Sequence, residues 1–314
     1  MFRTVLRRLA LSVPVVFLVS ILTFLLTALT PGDPGKTLLG TQATPAAVAA
    51  IDKSLGLDRP IYLQYWSWVK ELVVHGSLGH SVFSGLSVIS ILNSGLPITL
   101  TLIVGAVVLT VIVGIPLGVV SARLKGNRGR FVDALAILGF AIPSFWLGLL
   151  LVILFTQKLH LLPPSGWDSF SATPLGWLKS STLPIVTLAV SGIGVVAKQT
   201  RDGMLQTLNQ NYILSLRMRG VPERAVFYKH ALRNALPNTV NLIGLYVVSL
   251  LLGTTLVESV FALQGLGTIA VQSTSEHDLP VLQGVGVYFT VIVVVVFCFV
   301  DLIRAWLNPR IRVR

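Results

Sequence analysis

The chain has 314 residues, of which 54% are hydrophobic and only 11% are charged. Because soluble domains carry about 25% charged residues, this composition excludes an ordinary soluble protein and indicates lipid as the main solvent. The 24 Lys and Arg residues outnumber the 12 Asp and Glu residues, for a net charge of +12. These charges flank apolar segments, which indicates membrane orientation and not nucleic-acid binding. The one cysteine, Cys298, excludes an internal disulfide and a multi-cysteine metal site.

Six apolar segments predict membrane-spanning helices, since about 20 apolar residues are enough to cross a bilayer as a helix. The segments are residues 9–29, 98–122, 131–156, 183–197, 236–257 and 281–303, and the fourth is the shortest. Arg3, Arg7 and Arg8 precede the first segment, as they would in a secretory signal. The length of its apolar run and the missing small-residue cleavage site favour a retained helix.

Basic residues are concentrated in alternate connections between these segments. Of the 24 Lys and Arg residues, 18 lie in the N-terminus, at 123–130, at 198–233 and in the tail from Arg304. Basic loops stay on the cytoplasmic side of a membrane, so both termini and residues 198–233 are predicted to be cytoplasmic. Six spans agree with this orientation, because an even number leaves both termini on one side.

The spans divide the chain into three predicted regions. These are the cytoplasmic N-terminus with the first span at 1–30, an extracytoplasmic subdomain at 31–96, and a core at 97–314. In the subdomain, Thr44 followed by Pro45 is typical of a helix start. Residues 61–74 form an amphipathic pattern that includes Tyr65, Trp66 and Trp68, and aromatic residues of this kind favour a membrane interface. The sequence leaves open whether this helical subdomain only covers the interface or docks a partner.

One motif in this subdomain is misleading. Residues 35–37, Gly-Lys-Thr, resemble the end of a phosphate-binding loop, but the position that needs the first glycine holds Thr30. A predicted membrane helix also precedes the motif where a strand is required. We therefore exclude a nucleotide site here.

The sequence lacks the residues that a self-contained carrier or a membrane enzyme needs at membrane depth. The centres of the predicted spans hold no Asp, Glu, Lys, Arg or His, and the five histidines show no metal-ligand spacing. Ion-coupled carriers and intramembrane proteases need titratable or nucleophilic groups at membrane depth. We therefore assign no catalytic residue and no metal, and we expect a pathway whose energy source lies on another chain.

The most unusual connection is the segment at 198–234. Residues 212–219 form a short amphipathic pattern that Gly220 is expected to end, as a glycine does after a helix. Pro222 and Glu223 then predict the start of a second helix, since a carboxylate stabilises the first turn. This helix–glycine–helix element would fit a groove on a partner protein, or its arginines would hold it to anionic lipid. Both interpretations remain open from the residues alone.

This element resembles the cytoplasmic loop of bacterial ABC importer permeases, in the variant of the oligopeptide, dipeptide and nickel transport family. The resemblance rests on Tyr212, Leu216, Gly220 and the run His-Ala-Leu-Arg-Asn-Ala at 230–235. The Glu-Ala-Ala opening of other importers is degenerate here, at 214–216. The resemblance extends over nearly the whole chain, through motifs at 29–34, 55–60, 76–81, 142–146, 162–166, 258–267, 278–284 and 308–310.

The resemblance implies an all-α membrane protein with six transmembrane helices and the type I ABC importer architecture. Its partners would be a second permease subunit, two ABC ATPases and an extracytoplasmic solute-binding protein, in the bacterial cytoplasmic membrane. The chain itself would carry no cofactor and no enzymatic activity, since ATP and Mg would bind the ATPases. Its cargo would be di- or oligopeptides, with nickel chelates, glutathione or glycosides as alternatives. A self-contained channel or secondary carrier is the more remote alternative.

The resemblance also implies sites. The ATPases would hold Tyr212, Leu214, Ser215, Leu216, Gly220, Glu223, Arg224, His230, Arg233 and Asn234. The binding protein would face Glu258, Phe261, Gly265, Leu266, Gly267 and Asp278. Asn241 and Tyr246 are candidates for lining the pathway, although hydrogen bonding between helices explains them equally well.

Overall fold

The computed structural model describes residues 2–29, 34–56, 58–124 and 141–307, together with positions 129, 134, 138 and 139. These residues are nearly all helical, and an isolated antiparallel bridge joins His80 to Ser87. The all-α expectation is therefore confirmed. The first half of the third predicted span, at 131–143, and the motif at 308–310 lie largely or wholly outside the described residues.

Four helices precede the first long apolar helix. They are α1 (Phe2–Leu29), α2 (Pro34–Leu39, followed by a 3₁₀ turn at Gly40–Gln42), α3 (Pro45–Leu55) and α4 (Ile61–His75). The predicted start of α3 is confirmed, because the Ala47 N–H donates to Thr44 Oγ1 over 3.3 Å. Gly76 ends α4 in the left-handed conformation, with φ of 63°.

Seven further helices follow in the described part of the chain. They are α5 (Val88–Arg123), α6 (Ser144–Leu151, continued by a π-helical turn at Val152–Lys158), α7 (Pro174–Leu208), α8 (Asn211–Met218), α9 (Glu223–Val260), α10 (Leu266–Glu276) and α11 (Leu279–Leu307). Among the described residues, α5, α7, α9 and α11 are long and apolar enough to cross a membrane. Shorter apolar stretches lie at Val13–Leu26 and Ser144–Lys158, so the count of six spans stays a prediction.

Two predicted spans are parts of longer helices. The fourth segment, placed at 183–197, is the middle of the 35-residue helix α7. The fifth, placed at 236–257, is the end of a helix that already begins at Glu223. Hydropathy detects only the apolar part of a helix, whereas the polar ends stay helical because their backbone hydrogen bonds are made within the helix.

The described residues fall into two compact units. The large unit takes its residues from 1–5, 100–263 and 295–314, and the small unit from 6–99 and 264–294. The buried cluster of the large unit contains Val119, Ala122, Met204, Phe227, Ala231 and Ala235. That of the small unit contains Leu78, Val88, Leu92, Leu266, Ile269, Val281 and Val285.

Small residues allow close helix contacts in the large unit. The pair Gly114 and Gly118 on α5 faces α7, where a Cβ at Gly118 would overlap the Ala197 carbonyl and lie 2.7 Å from Thr200 Cβ. A Cβ at Gly114 would lie 3.1 Å from the Val196 side chain. The GxxxG spacing therefore marks a helix crossing, as small residues commonly do in membranes.

Candidate functional site

The segment at 211–234 begins with α8, which ends at the predicted glycine. Gly220 has φ of +75°, a backbone conformation that residues other than glycine rarely adopt. The Gly220 N–H donates to Arg217 O over 3.0 Å, and the Val221 N–H donates to Leu216 O over 3.1 Å. These two bonds form a Schellman motif, which satisfies the last carbonyls of α8.

An ion pair crosses the glycine turn. Arg217 Nε lies 2.6 Å from Glu223 Oε1, and Arg217 Nη2 lies 3.4 Å from Glu223 Oε2. The bidentate pair joins the end of α8 to the first turn of α9, where Pro222 precedes Glu223 with extended φ and ψ. Both side chains are exposed, so the pair contributes at most about 1 kcal/mol to stability.

The second helix of the element and the next apolar span are one helix. Helix α9 runs from Glu223 to Val260 and contains a π-helical turn at Val226–Leu232. Such turns widen a helix locally without ending it and are frequent at functional sites. The glycine turn is therefore joined to the predicted span by one continuous helix.

Side-chain contacts join α9 to α8 and to α5. The Asn234 side-chain amide donates to the Tyr212 hydroxyl over 2.7 Å and to His230 O over 3.0 Å. The Arg123 guanidinium, at the end of α5, lies 4.8 Å from the ring centroids of both Phe227 and Tyr228. An exposed cation–π contact is worth about 0.5–1 kcal/mol. The sequence did not indicate the role of Arg123, since nothing in the local pattern joins residues so far apart.

The outward face of this segment is apolar and basic. Leu214 is 57% exposed, and Met218, which was not predicted as a coupling residue, is 75% exposed, while Ile213 next to Leu214 is fully buried. Of the other predicted coupling residues, Tyr212, Ser215, Gly220, Glu223, Arg224, Arg233 and Asn234 are exposed, and Leu216 and His230 are half-buried. Exposed apolar side chains beside arginines are typical of a protein-binding surface.

Two residues predicted to face a binding protein lie at the end of α9 and are buried. Glu258 is 0% exposed, and its carbonyl accepts from the Leu263 N–H over 2.8 Å. Phe261 is 1% exposed, and a Cβ at Gly148 would lie 3.3 Å from its ring. Both residues lie at the chain reversal after α9.

The other four predicted residues of that surface belong to the small unit and are also buried. The Leu266 N–H, at the start of α10, donates to Thr99 Oγ1 over 2.8 Å, and Gly265 and Gly267 flank it. The Asp278 carboxylate accepts from the Ser81 hydroxyl over 2.5 Å and from the Val82 N–H over 3.4 Å. The contact with a binding protein stays a prediction.

The two pathway candidates lie in α9. The Tyr246 hydroxyl donates to Leu188 O of α7 over 2.7 Å, and a Cβ at Gly192 would lie 2.6 Å from the same hydroxyl. Asn241 is exposed and accepts from Arg304 Nη1 over 3.3 Å. Tyr246 thus makes the interhelical hydrogen bond that was one of its two interpretations, and a pathway role for either residue stays a prediction.

Comparison with known proteins agrees with this geometry. The family described as binding-protein-dependent transport system inner membrane component matches residues 114–313, and its N-terminal counterpart matches residues 1–103. A putative peptide transport system permease of Brucella abortus is 41% identical over 98% of both chains. A probable D,D-dipeptide transport system permease of Escherichia coli K12 is 37% identical, over 93% of this chain and 92% of its own.

The solved structures identify the fold. The chain resembles a chain of the inward-facing MetNI methionine ABC transporter with a TM-score of 0.57 and 20% identity, over 70% of this chain and 97% of the other. The fold is thus that of a type I ABC importer permease. The chain belongs to the family of binding-protein-dependent transport system inner membrane components, and the peptide-permease resemblance is confirmed.

The role of Tyr246 is testable by Tyr246→Phe. Loss of its bond to Leu188 O should lower the free energy of unfolding by about 1 kcal/mol and lower the Tm in detergent, with unchanged uptake kinetics. Tyr62→Phe is the matched control, because Tyr62 is 71% exposed. An unchanged Tm with an altered KM or an altered choice of transported solute would instead assign Tyr246 to the pathway.

Proposed function

We propose that this chain is one of two permease subunits of an ATP-driven peptide importer. It lies in the cytoplasmic membrane with both termini in the cytoplasm, and it forms half of the translocation pathway. Two ABC ATPase subunits bind ATP and Mg, and each holds the segment at 211–234 of one permease. A solute-binding protein delivers the peptide on the opposite side. The chain itself performs no catalysis and carries no cofactor.

The observation that carries this proposal is the direct continuation of the 211–234 segment into α9. An ATPase can shift the permease between two states only if its interaction free energy differs between them, so a movement of the contact segment has to reach the membrane-spanning helices. The Schellman turn at Gly220 and the bond from Asn234 to Tyr212 favour a stiff element. The exposed side chains of Leu214 and Met218 supply an apolar surface that a groove on the ATPase would bind.

The alternative role, a lipid-bound juxtamembrane helix, explains these features less well. A lipid anchor needs arginines and an apolar face but no fixed angle between two helices. Here the Schellman turn at Gly220 sets the angle between the two helices, and the ion pair between Arg217 and Glu223 bridges that turn. We therefore favour a protein partner.

Peptide is the proposed cargo because two relatives are named as permeases for peptides and for D,D-dipeptides. Glutathione, nickel chelates and glycosides remain the alternatives. Cells with the intact importer should take up labelled dialanine, with competition from di- and tripeptides and none from a glycoside. Uptake that nickel chelates or glycosides inhibit, while unlabelled peptides do not, would contradict the peptide assignment and leave the permease assignment intact.

Gly220→Val tests the coupling role. A branched side chain at φ of +75° costs about 1–2 kcal/mol and should distort the turn without preventing membrane insertion. We expect co-purification of the ATPases and peptide uptake each to fall roughly tenfold, since each 1.4 kcal/mol is a factor of about ten.

Gly85→Val is the matched control for strain. Gly85 has φ of +68°, and a Cβ there, as at Gly220, meets nothing within 4 Å. We expect this variant to insert, to keep its ATPases and to transport peptide normally. Full uptake in the Gly220 variant, or an equal loss in both variants, would remove the special role of the 211–234 segment.

A further inference from the structure

The small unit contains a cavity of about 460 Å³ that the proposed coupling function does not use. Its walls come from α1, the turn before α4, α4 itself, residues 80–82 and the beginning of α11. Pockets for small ligands usually measure about 300–1,000 Å³, so this cavity is large enough for a short peptide. All of its lining residues belong to the small unit.

Two polar groups in the cavity wall lack partners among the described residues. Gln283 on α11 is only 5% exposed, and the described hydrogen bonds include none to its side-chain amide. The indole Nε1–H of Trp68 on α4 is also buried without an acceptor among those residues. Buried polar groups are nearly always hydrogen-bonded, and leaving one unsatisfied costs about 1–3 kcal/mol. Both groups are therefore suited to a ligand.

The charged groups of the wall favour an anion. Arg59 supplies a guanidinium, and His80 and His277 supply two imidazoles. No carboxylate is among the described residues that line the cavity. The neighbouring carboxylate of Asp278 accepts from Ser81 and from the Val82 N–H, so two donors of the protein already engage it.

We propose that this cavity binds a short peptide by its terminal carboxylate. The Arg59 guanidinium pairs with the carboxylate, because planar bidentate pairing is the strong mode of arginine. The amide of Gln283 and the indole N–H of Trp68 bind the peptide's backbone, and the buried ring of Phe24 contacts an apolar side chain. The choice of peptide rests on the proposed function, whereas the choice of an oxyanion rests on the cavity alone.

An anionic phospholipid headgroup offers an oxyanion as well, so the test must separate the two sources. The full chain, purified with the subunits that accompany it, is placed in phosphatidylcholine nanodiscs without ATP or binding protein. Equilibrium dialysis then measures binding of radiolabelled dialanine, with dialanine amide as competitor. We expect saturable binding at one site per chain and competition by the amide that is at least about tenfold weaker, since a charge-assisted bond is lost.

Variants assign the binding to this cavity. Arg59→Gln and Gln283→Leu should each weaken dialanine binding about tenfold, and Trp68→Phe should weaken it without removing the aromatic wall. Lys70→Gln is the control, because Lys70 is an exposed cation of α4 outside the cavity lining. The Tm of each variant is measured, and Trp68→Phe keeps the proposal testable if Gln283→Leu does not fold.

Three results would overturn the proposal. The first is the absence of saturable dialanine binding, and the second is dialanine binding that Arg59→Gln leaves unchanged. The third is displacement of dialanine by phosphatidylglycerol added to the nanodiscs, which would identify a lipid headgroup as the occupant. Peptide uptake is measured in parallel with the wild-type chain. Normal uptake without dialanine binding contradicts this site only, whereas binding without any peptide uptake contradicts the proposed function only.

Discussion

The packing of α9 along α7 is the constraint on which the large unit depends. Near the 211–234 segment, a Cβ at Gly203 would lie 3.2 Å from Ala235 Cβ. Further along, the hydroxyls of Thr200 and Thr239, both fully buried, are 3.5 Å apart. At the far end, the Tyr246 hydroxyl bonds to the α7 backbone at Leu188. The two helices are therefore held together over much of their length by small and polar residues, as is usual in membranes.

This packing supports the proposed coupling role of the 211–234 segment. The segment connects the two helices at one end, and its second half is the first part of α9. A force on the exposed residues of α8 would reach α9 through the glycine turn and through the bond from Asn234 to Tyr212. Ile213 and Val226 are both fully buried, so each helix of the segment packs against the protein by at least one side chain. An ATPase that binds this segment would therefore displace the long helix α9 and not a flexible loop.

Local signals in the sequence predicted part of this arrangement. Gly220 was predicted to end a helix because glycine adopts the left-handed conformation without strain, and Thr44 was predicted as a cap because its hydroxyl accepts a backbone N–H. Helix lengths could not be predicted from hydropathy, since the polar residues at 198–208 continue α7. The burial of Glu258 and Asp278 was missed because it depends on residues distant in sequence, as with Ser81, 197 positions away from Asp278. The cavity was missed for the same reason.

The central claim is that the 211–234 segment is the contact with an ATPase, and site-specific crosslinking tests it most directly. In a Cys298→Ala background, the variants Leu214→Cys and Met218→Cys place a thiol on exposed positions of α8. Val73→Cys is the control, at a residue of α4 that is 76% exposed. With a short thiol-reactive crosslinker in native membranes, the account predicts a permease–ATPase product from positions 214 and 218 and none from position 73. Products from position 73 alone, or none from either α8 position, would contradict it.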